Sequence, residues 1–217
     1  MDRFQSLLGR IVTVALALSV LFSACASSAK DEAEDRKIGE ISNSLAGQLL
    51  VAAPSMPDPR FAETVIFVVR HDRHGAMGLI VNRVIGIGSA KRLLESAGID
   101  VEGMDIDAKV RVHYGGPVEP RRGFVLHSDD YAGEGTLEVT NRVSITAATQ
   151  ILHAMAKGNG PNRGFLAVGY SGWSSGQLES ELSRMDWLVV PSDDQLLFDT
   201  DIATKWRRAM GRHGIEL

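Results

Sequence analysis

Apolar residues fall along the chain in two regimes. Residues 11–22 form one uncharged greasy run behind Arg3 and Arg10, ending in Leu21-Phe22-Ser23-Ala24-Cys25. Twelve residues fall short of the roughly twenty that a helix needs to cross a bilayer, so the run matches the h-region of a secretory signal. The small pair Ser23-Ala24 before a cysteine has the form of a bacterial lipobox, with Phe22 where Leu, Val or Ile is usual. Residues 1–25 are therefore read as a signal peptide whose Cys25 accepts a lipid. Residues 26–43 (ASSAKDEAEDRKIGEISN) are polar, carry both signs of charge and have no aromatic residue, so they are expected to form a flexible tether.

From residue 44 onward the pattern is that of a single folded domain. LAGQLLVAA, TVIFVVR (64–70), MGLIVNR (77–83), KVRVHY, GFVLHS, LEVT, FLAVGY and WLVV are short β-branched or apolar runs that predict strands. TVIFVVR and MGLIVNR flank HDRHGA as a hairpin, and GPVEPRR reads as a turn between KVRVHY and GFVLHS. Ser89 is expected to cap a short helix stopped at Gly98. Ser144 is expected to cap another, with Ile145, Ala148, Ile151, Leu152, Met155 and Ala156 on one face and Gly158 at its end. Ser174-x-x-Gln177 has the form of a capping box, with Leu178, Leu182 and Met185 along the helix behind it. The last helix covers residues 200–210, with Ile202, Trp206, Ala209 and Met210 inward and Lys205, Arg207, Arg208 and Arg212 as an exposed basic face. Grouped strands with only some βα alternation predict an α+β domain around a mixed sheet.

Composition narrows the function. The 217-residue chain has a net charge of -4, and without residues 1–25, which hold two arginines and one aspartate, the net is -5. An acidic body argues against general nucleic-acid binding, which needs clustered Lys and Arg. With Cys25 lipidated, no thiol remains for a disulfide or a thiolate metal site.

One segment carries a chemical expectation. FLAVGYSGWSSGQLE runs an apolar strand into Gly169-Tyr170-Ser171-Gly172-Trp173 and then a capped helix, the topology of a nucleophile elbow. Ser171 is the weak catalytic candidate, with His127, His113 or His153 as the base; the alternative makes the two glycines a tight turn and Ser171 merely a small residue. His71 and His74 are too few for a zinc site and read as a solvated turn. Asp193, Asp194, Asp199 and Asp201 lack a calcium-loop pattern, and GNGPNRG lacks the lysine of a phosphate loop. No metal or cofactor is expected.

Three segments in order, GQLLVAAPSMPDPRFAETVIFVVRHDRHGAMGLIVNR, GGPVEPRRGFVLHS and GYSGWSSGQLESEL followed by WLVV and LLF, resemble the AlgH/YqgE family of bacterial proteins over residues 44–217. The resemblance implies a domain with a mixed sheet bent partly into a small barrel and flanked by helices, with no established enzymatic activity. Some members carry a transcriptional-regulator label. Family members usually have Ala where Ser171 stands, so an elbow nucleophile would be peculiar to this chain. They also usually begin near the first strand, which makes the cytoplasm the family default and sets it against the export reading. The leading expectation is a non-catalytic binding or regulatory domain, anchored by lipid and facing the periplasm, for a protein or small-molecule partner. Its expected contact surface combines Pro54, Asp58, Pro59, Arg60 and Phe61 with the turns at Gly115, Gly116 and Pro117 and at Gly172 and Trp173. A cytoplasmic transcriptional regulator and a serine hydrolase using Ser171 are the competing classes.

Overall fold

The strand that organises the molecule is β9 (Gly164–Ser174), which is bonded along both edges. The computed structural model describes residues 44–96, 98–102 and 108–214. The expected signal run, Cys25 and the tether lie outside these residues. Among the described residues ten strands form one strongly curled sheet: β1 (Gln48–Ala52), β2 (Val65–Asp72), β3 (Gly75–Ile80), β4 (Val84–Ser89), β5 (Lys109–Tyr114), β6 (Val118–Ser128), β7 (Thr136–Thr140), β8 (Val143–Ala147), β9 and β10 (Trp187–Pro191). Their order is β10-β1-β2-β3-β9-β6-β8-β7, with β5 joining β9 and β4 joining β5. Among the described residues there are five helices: α1 (Ala90–Ser96), α2 (Ala148–Ala156), α3 (Gln177–Ser183), α4 (Asp194–Phe198) and α5 (Ile202–Arg212). The fold is mixed α+β with a half-barrel sheet. β5 runs parallel to β9, and the other pairings are antiparallel.

Strand alternation divides the apolar residues between the two faces of the curl. The inner face contributes Leu49, Val51, Phe67, Leu79, Leu126 and Phe165, and α4 and α5 close it with Leu196, Leu197, Phe198, Ala209 and Met210. Outside, Leu50, Ile66, Ile80, Trp173, Leu178 and Trp187 form one cluster, and Leu94, Val110, Val125, Ile151 and Leu166 form another beneath α1 and α2. Because both faces are covered, β1 and β2 read as continuous apolar runs rather than alternating ones. Burial of each large apolar side chain contributes about 2 kcal/mol.

One edge of β9 pairs with β6; the other pairs with β5 at Leu166, Ala167 and Val168 and then with β3 from Ser171 to Ser174. The chain leaving β5 must pass from one edge of β9 to the other to begin β6. It does so within Gly115, Gly116 and Pro117, lying directly against the β9 backbone. A Cβ on Gly115 would meet the Gly169 carbonyl oxygen at 2.3 Å, and one on Gly116 would meet the Tyr170 carbonyl carbon at 2.2 Å. Gly169 itself has φ +71° and faces the Gly116 oxygen. GPVEPRR is thus not a turn between neighbouring strands: β9 separates β5 from β6, and Val118 already belongs to β6.

Other expectations also change. Val143, Ile145 and Thr146 sit in β8 between β6 and β7, so Ser144 is a buried strand residue and α2 starts at Ala148. β-Branched side chains on a doubly paired strand outweighed an i, i+3 spacing. β4, whose glycines break up its pattern, and the short helix α4 carried no separate expectation. Met185 lies beyond α3 with φ +60° and is exposed.

The basic face of α5 is not wholly exposed either. Lys205 is fully buried, with Nζ 3.2 Å from Asp199 Oδ1 and donating to the Leu197 carbonyl at 3.3 Å. Arg111 reaches from β5 to donate to the carbonyls of Phe198 and Asp199, at 2.7 and 2.8 Å, where α4 ends. Asp193 and Asp201 accept from backbone N–H groups at the starts of α4 and α5, so part of the acidic stretch does cap helices. His113 is buried nearby, stacked at 4.0 Å on Phe165. Desolvation, with Arg111 and Lys205 as like charges, pushes its pKa down to about 3.

The crossing predicts that Gly116→Ala destabilises the domain by about 3 kcal/mol or more, measured by denaturant unfolding, because neither backbone can retreat. His113 predicts an acid-sensitive term. The unfolded imidazole titrates near 6.5 and the folded one near 3, so its contribution is complete above pH 6.5. It is lost by about 1.4 kcal/mol per pH unit as pH falls through that window. His113→Leu should remove this slope from the difference in unfolding free energy between pH 7 and pH 4.

Candidate functional site

Two strand irregularities build a cleft on the sheet. The β2–β3 register shifts between Val68 and Arg70, and Arg70 lies opposite Met77, which in turn faces Gly172 on β9. In β6 the pairing with β9 breaks between Val118 and Gly123, throwing residues 119–122 out of the ladder. Glu119 takes φ +45°, and Pro120 fits because no ladder donor is needed there. The bulge aims Arg122 and Glu119 across the sheet toward Tyr170.

The cleft has a volume of about 480 Å³, lined by Arg70, Met77, Val118, Arg122, Phe124 and Tyr170 with Ala76, Gly172 and Trp173. Its floor is aromatic, with Phe124 and Tyr170 edge to face at 6.3 Å. The Arg122 guanidinium lies 5.0 Å from the centre of the Phe124 ring and 3.2 Å from the Glu119 carboxylate. Glu119 also accepts from the Tyr170 hydroxyl at 3.2 Å, so one carboxylate positions both groups. Desolvation and then this bond raise the phenol pKa. Arg70 is only 3.6 Å from Asp72, and the side chains of Arg70 and Arg122 are 64% and 59% exposed. Gly172 keeps the cleft open: a Cβ there would approach the Tyr170 ring at 3.2 Å. What results is a flat apolar floor beneath two cationic forks.

The residues expected from sequence are only partly gathered here. Gly172 and Trp173 line the cleft. Trp173 is 7% exposed, and its indole donates to Glu181 at 2.8 Å, as does that of Trp187. Trp187 packs edge-on against both Trp173 and Phe61, at 6.0 and 5.7 Å, which links the loop of residues 54–61 to the cleft wall. In that loop Pro54, Pro59 and Arg60 are exposed and Asp58 and Phe61 half-buried. Arg60 is paired to Asp58 at 2.7 Å. Gly115 and Gly116 are buried in the backbone crossing, and Pro117 is half-buried beside it.

Ser171 is not on an elbow. β9 continues through it to Ser174, its partner is Gly78, and α3 begins only at Gln177 after Gly176. The serine is fully buried, and its hydroxyl donates to the Gly115 carbonyl at 3.3 Å. Among the described residues no imidazole is bonded to it: His127 bonds Ser128 and Thr146, His113 stacks on Phe165, and His153 lies on α2. The capping-box sequence is used differently, with the Gln177 side chain accepting from the Ser174 N–H while Gly176 occupies the cap. His71 is not solvated: it accepts from the Leu45 N–H at 3.1 Å and meets Glu179 at 2.7 Å, tying α3 to the sheet.

Arg70, Met77, Glu119, Arg122 and Phe124 were not anticipated, and Tyr170 was expected only as part of the GYSGW turn of the contact surface. The sequence signal was the polar interruption Glu119-Pro120-Arg121-Arg122 between two apolar stretches, which reads equally well as a turn.

Comparison with known proteins settles the lineage. The family model described as DUF179, AlgH-like, matches residues 49–217. The chain belongs to the AlgH-like family. UPF0301 proteins of Rhodospirillum rubrum and Methylococcus capsulatus are 47% and 43% identical to it over 172 and 171 residues. Each alignment covers 79% of this chain, and 88% and 92% of the respective relative. The solution structure of AlgH from Pseudomonas aeruginosa matches with a TM-score of 0.66 at 36% identity, over 80% of this chain and 91% of that one. A crystal structure of a Corynebacterium diphtheriae protein shares the AlgH-like fold, with a TM-score of 0.60 at 21% identity over 76% and 85% of the two chains.

Proposed function

We propose that this AlgH-like protein is a non-catalytic binding domain with a regulatory role, and that its cleft recognises an anionic ligand with a flat apolar body. The observation that supports this is the pairing of two exposed guanidiniums, Arg70 and Arg122, with the Phe124–Tyr170 floor. Guanidinium forks suit carboxylate, sulfonate or phosphate oxygens, and the rings supply dispersion and apolar contact. The loop carrying Pro54, Asp58, Pro59, Arg60 and Phe61, with Pro117, flanks this reading as a secondary contact for a macromolecular partner. Burial of Ser171 within a strand leaves the hydrolase reading without support.

In the same proposal the domain is held at the periplasmic face of a membrane by a lipid on Cys25, through the tether of residues 26–43. The apolar run of residues 11–22, followed by Ser23-Ala24-Cys25, supports it. The intact mass of the protein from its native host should show cleavage before Cys25 and an added diacylglyceryl group. An unprocessed, unmodified mass would return the protein to the cytoplasm and favour the regulator reading of the family.

The cleft is tested with 8-anilinonaphthalene-1-sulfonate, an aromatic anion, followed by its fluorescence. Arg70→Ala and Arg122→Ala should each weaken binding about fivefold, as expected for an exposed charge contact, while the uncharged N-phenyl-1-naphthylamine binds weakly and is indifferent to both. Equal binding of the two dyes, independent of either arginine, would discard the anion reading.

A further inference from the structure

At the β8–β7 end of the sheet, a second recess is walled by Asp129, Tyr131, Ala132, Gly133, Thr136, Glu138, Asn141 and Ser144 between the start of β7, β8 and the loop that follows β6, with a volume of about 370 Å³. Behind its wall runs a chain of hydrogen bonds whose direction is fixed. His127 is fully buried, and its Nδ1 lies 2.8 Å from the Ser128 carbonyl oxygen. A carbonyl can only accept, so Nδ1 carries the proton. Desolvation, the main cause, lowers this imidazole's pKa and keeps it neutral, leaving Nε2 as a lone pair. Thr146 Oγ1, 2.8 Å away and buried, must therefore donate to Nε2. Its single hydrogen is then used, so it accepts from Thr136 Oγ1 at 2.7 Å. Thr136 stands at the recess wall with its own hydrogen pointing inward, and offers the cavity lone pairs alone.

The rest of the lining agrees in sign. Asp129 and Glu138 are exposed carboxylates that form no ion pair among the described residues, and no lysine or arginine lines the recess. The neighbouring Asp130 is already engaged by the Ser128 hydroxyl and the Asn162 N–H. Tyr131 closes one side, its ring edge-on to His127 at 5.5 Å, with Gly133 leaving room for its hydroxyl. A cavity in which Thr136 offers only lone pairs and two carboxylates have no ion-pair partner among the described residues is complementary to a group that has hydrogens to donate and positive charge, while the Tyr131 and Ser144 hydroxyls and the Asn141 amide can adapt to it.

We infer that this recess, separate from the arginine cleft, is a binding site for a small organic cation bearing a primary ammonium group, with Thr136, Asp129 and Glu138 accepting its N–H bonds. The probe is 1,4-diaminobutane, with butane-1,4-diol as its neutral counterpart, titrated into full-length protein and followed by backbone amide NMR shifts. Saturable shifts are expected at Thr136, Glu138 and Asn141 with the diamine and not with the diol. Thr136→Val, close to isosteric, should weaken binding about tenfold, and Glu138→Gln about threefold, while Thr136→Ser, which keeps the hydroxyl, binds as the parent does. Arg122→Ala, in the other cleft, should leave diamine binding unchanged. Absence of saturable shifts, equal affinity for the diol, or unaltered binding in a folded Thr136→Val variant would overturn the assignment.

Discussion

The contact on which the architecture turns is the passage of one backbone across another at Gly116 and Gly169. Two main chains approach this closely because Gly115, Gly116 and Gly169 carry no Cβ, which at each position would collide with the backbone opposite. The consequence is topological. By crossing β9, the chain leaves β5 parallel on one edge and starts β6 antiparallel on the other, which makes the sheet mixed and frees the C-terminal half of β9 to pair with β3. A β5–β6 hairpin would have left β9 without this double partnership.

The same event shapes the cleft. A chain arriving from the crossing joins β9 at Val118 out of phase with the ladder that resumes at Gly123, and the surplus residues bulge. That bulge carries Glu119 and Arg122, and Glu119 ties Arg122 and Tyr170 into one polar group above an aromatic floor. Residues that hold the crossing and residues that line the cleft are thus adjacent in sequence but different in kind. Gly115 and Gly116 hold the fold, whereas Arg122, a few residues on, faces solvent.

Behind the sheet, the charge buried among the described residues is matched. Lys205 lies beside Asp199, Arg111 satisfies the carbonyls at the end of α4, and the neighbouring His113 is neutral because its charged form would be unsolvated next to two cations. This arrangement anchors α4 and α5 over the inner core and gives the domain its expected sensitivity to acid.

Much of the fold was legible in the chain. Apolar runs of β-branched residues located β1, β2, β3, β5, β9 and β10, the capping and C-terminal glycine signals located α1 and the end of α2, and the family resemblance gave the bent mixed sheet. These signals are local, set by side-chain period and backbone preference, so no partner is needed to read them. Pairing decided the rest. Ile145 and Ser144 fit a helix start and a strand equally until β6 and β7 enclose them. Ser171 fits an elbow until β3 bonds to it and carries β9 onward. Lys205 fits an exposed face until Asp199 and Leu197 meet it in the interior. Likewise Arg70, Tyr170 and Arg122 come from three strands far apart in sequence, and no spacing along the chain encodes their meeting. Local periodicity fixes which residues extend and which coil, but a strand's edges are occupied by distant segments, and only that occupancy determines what is buried, what bulges and what remains free to bind.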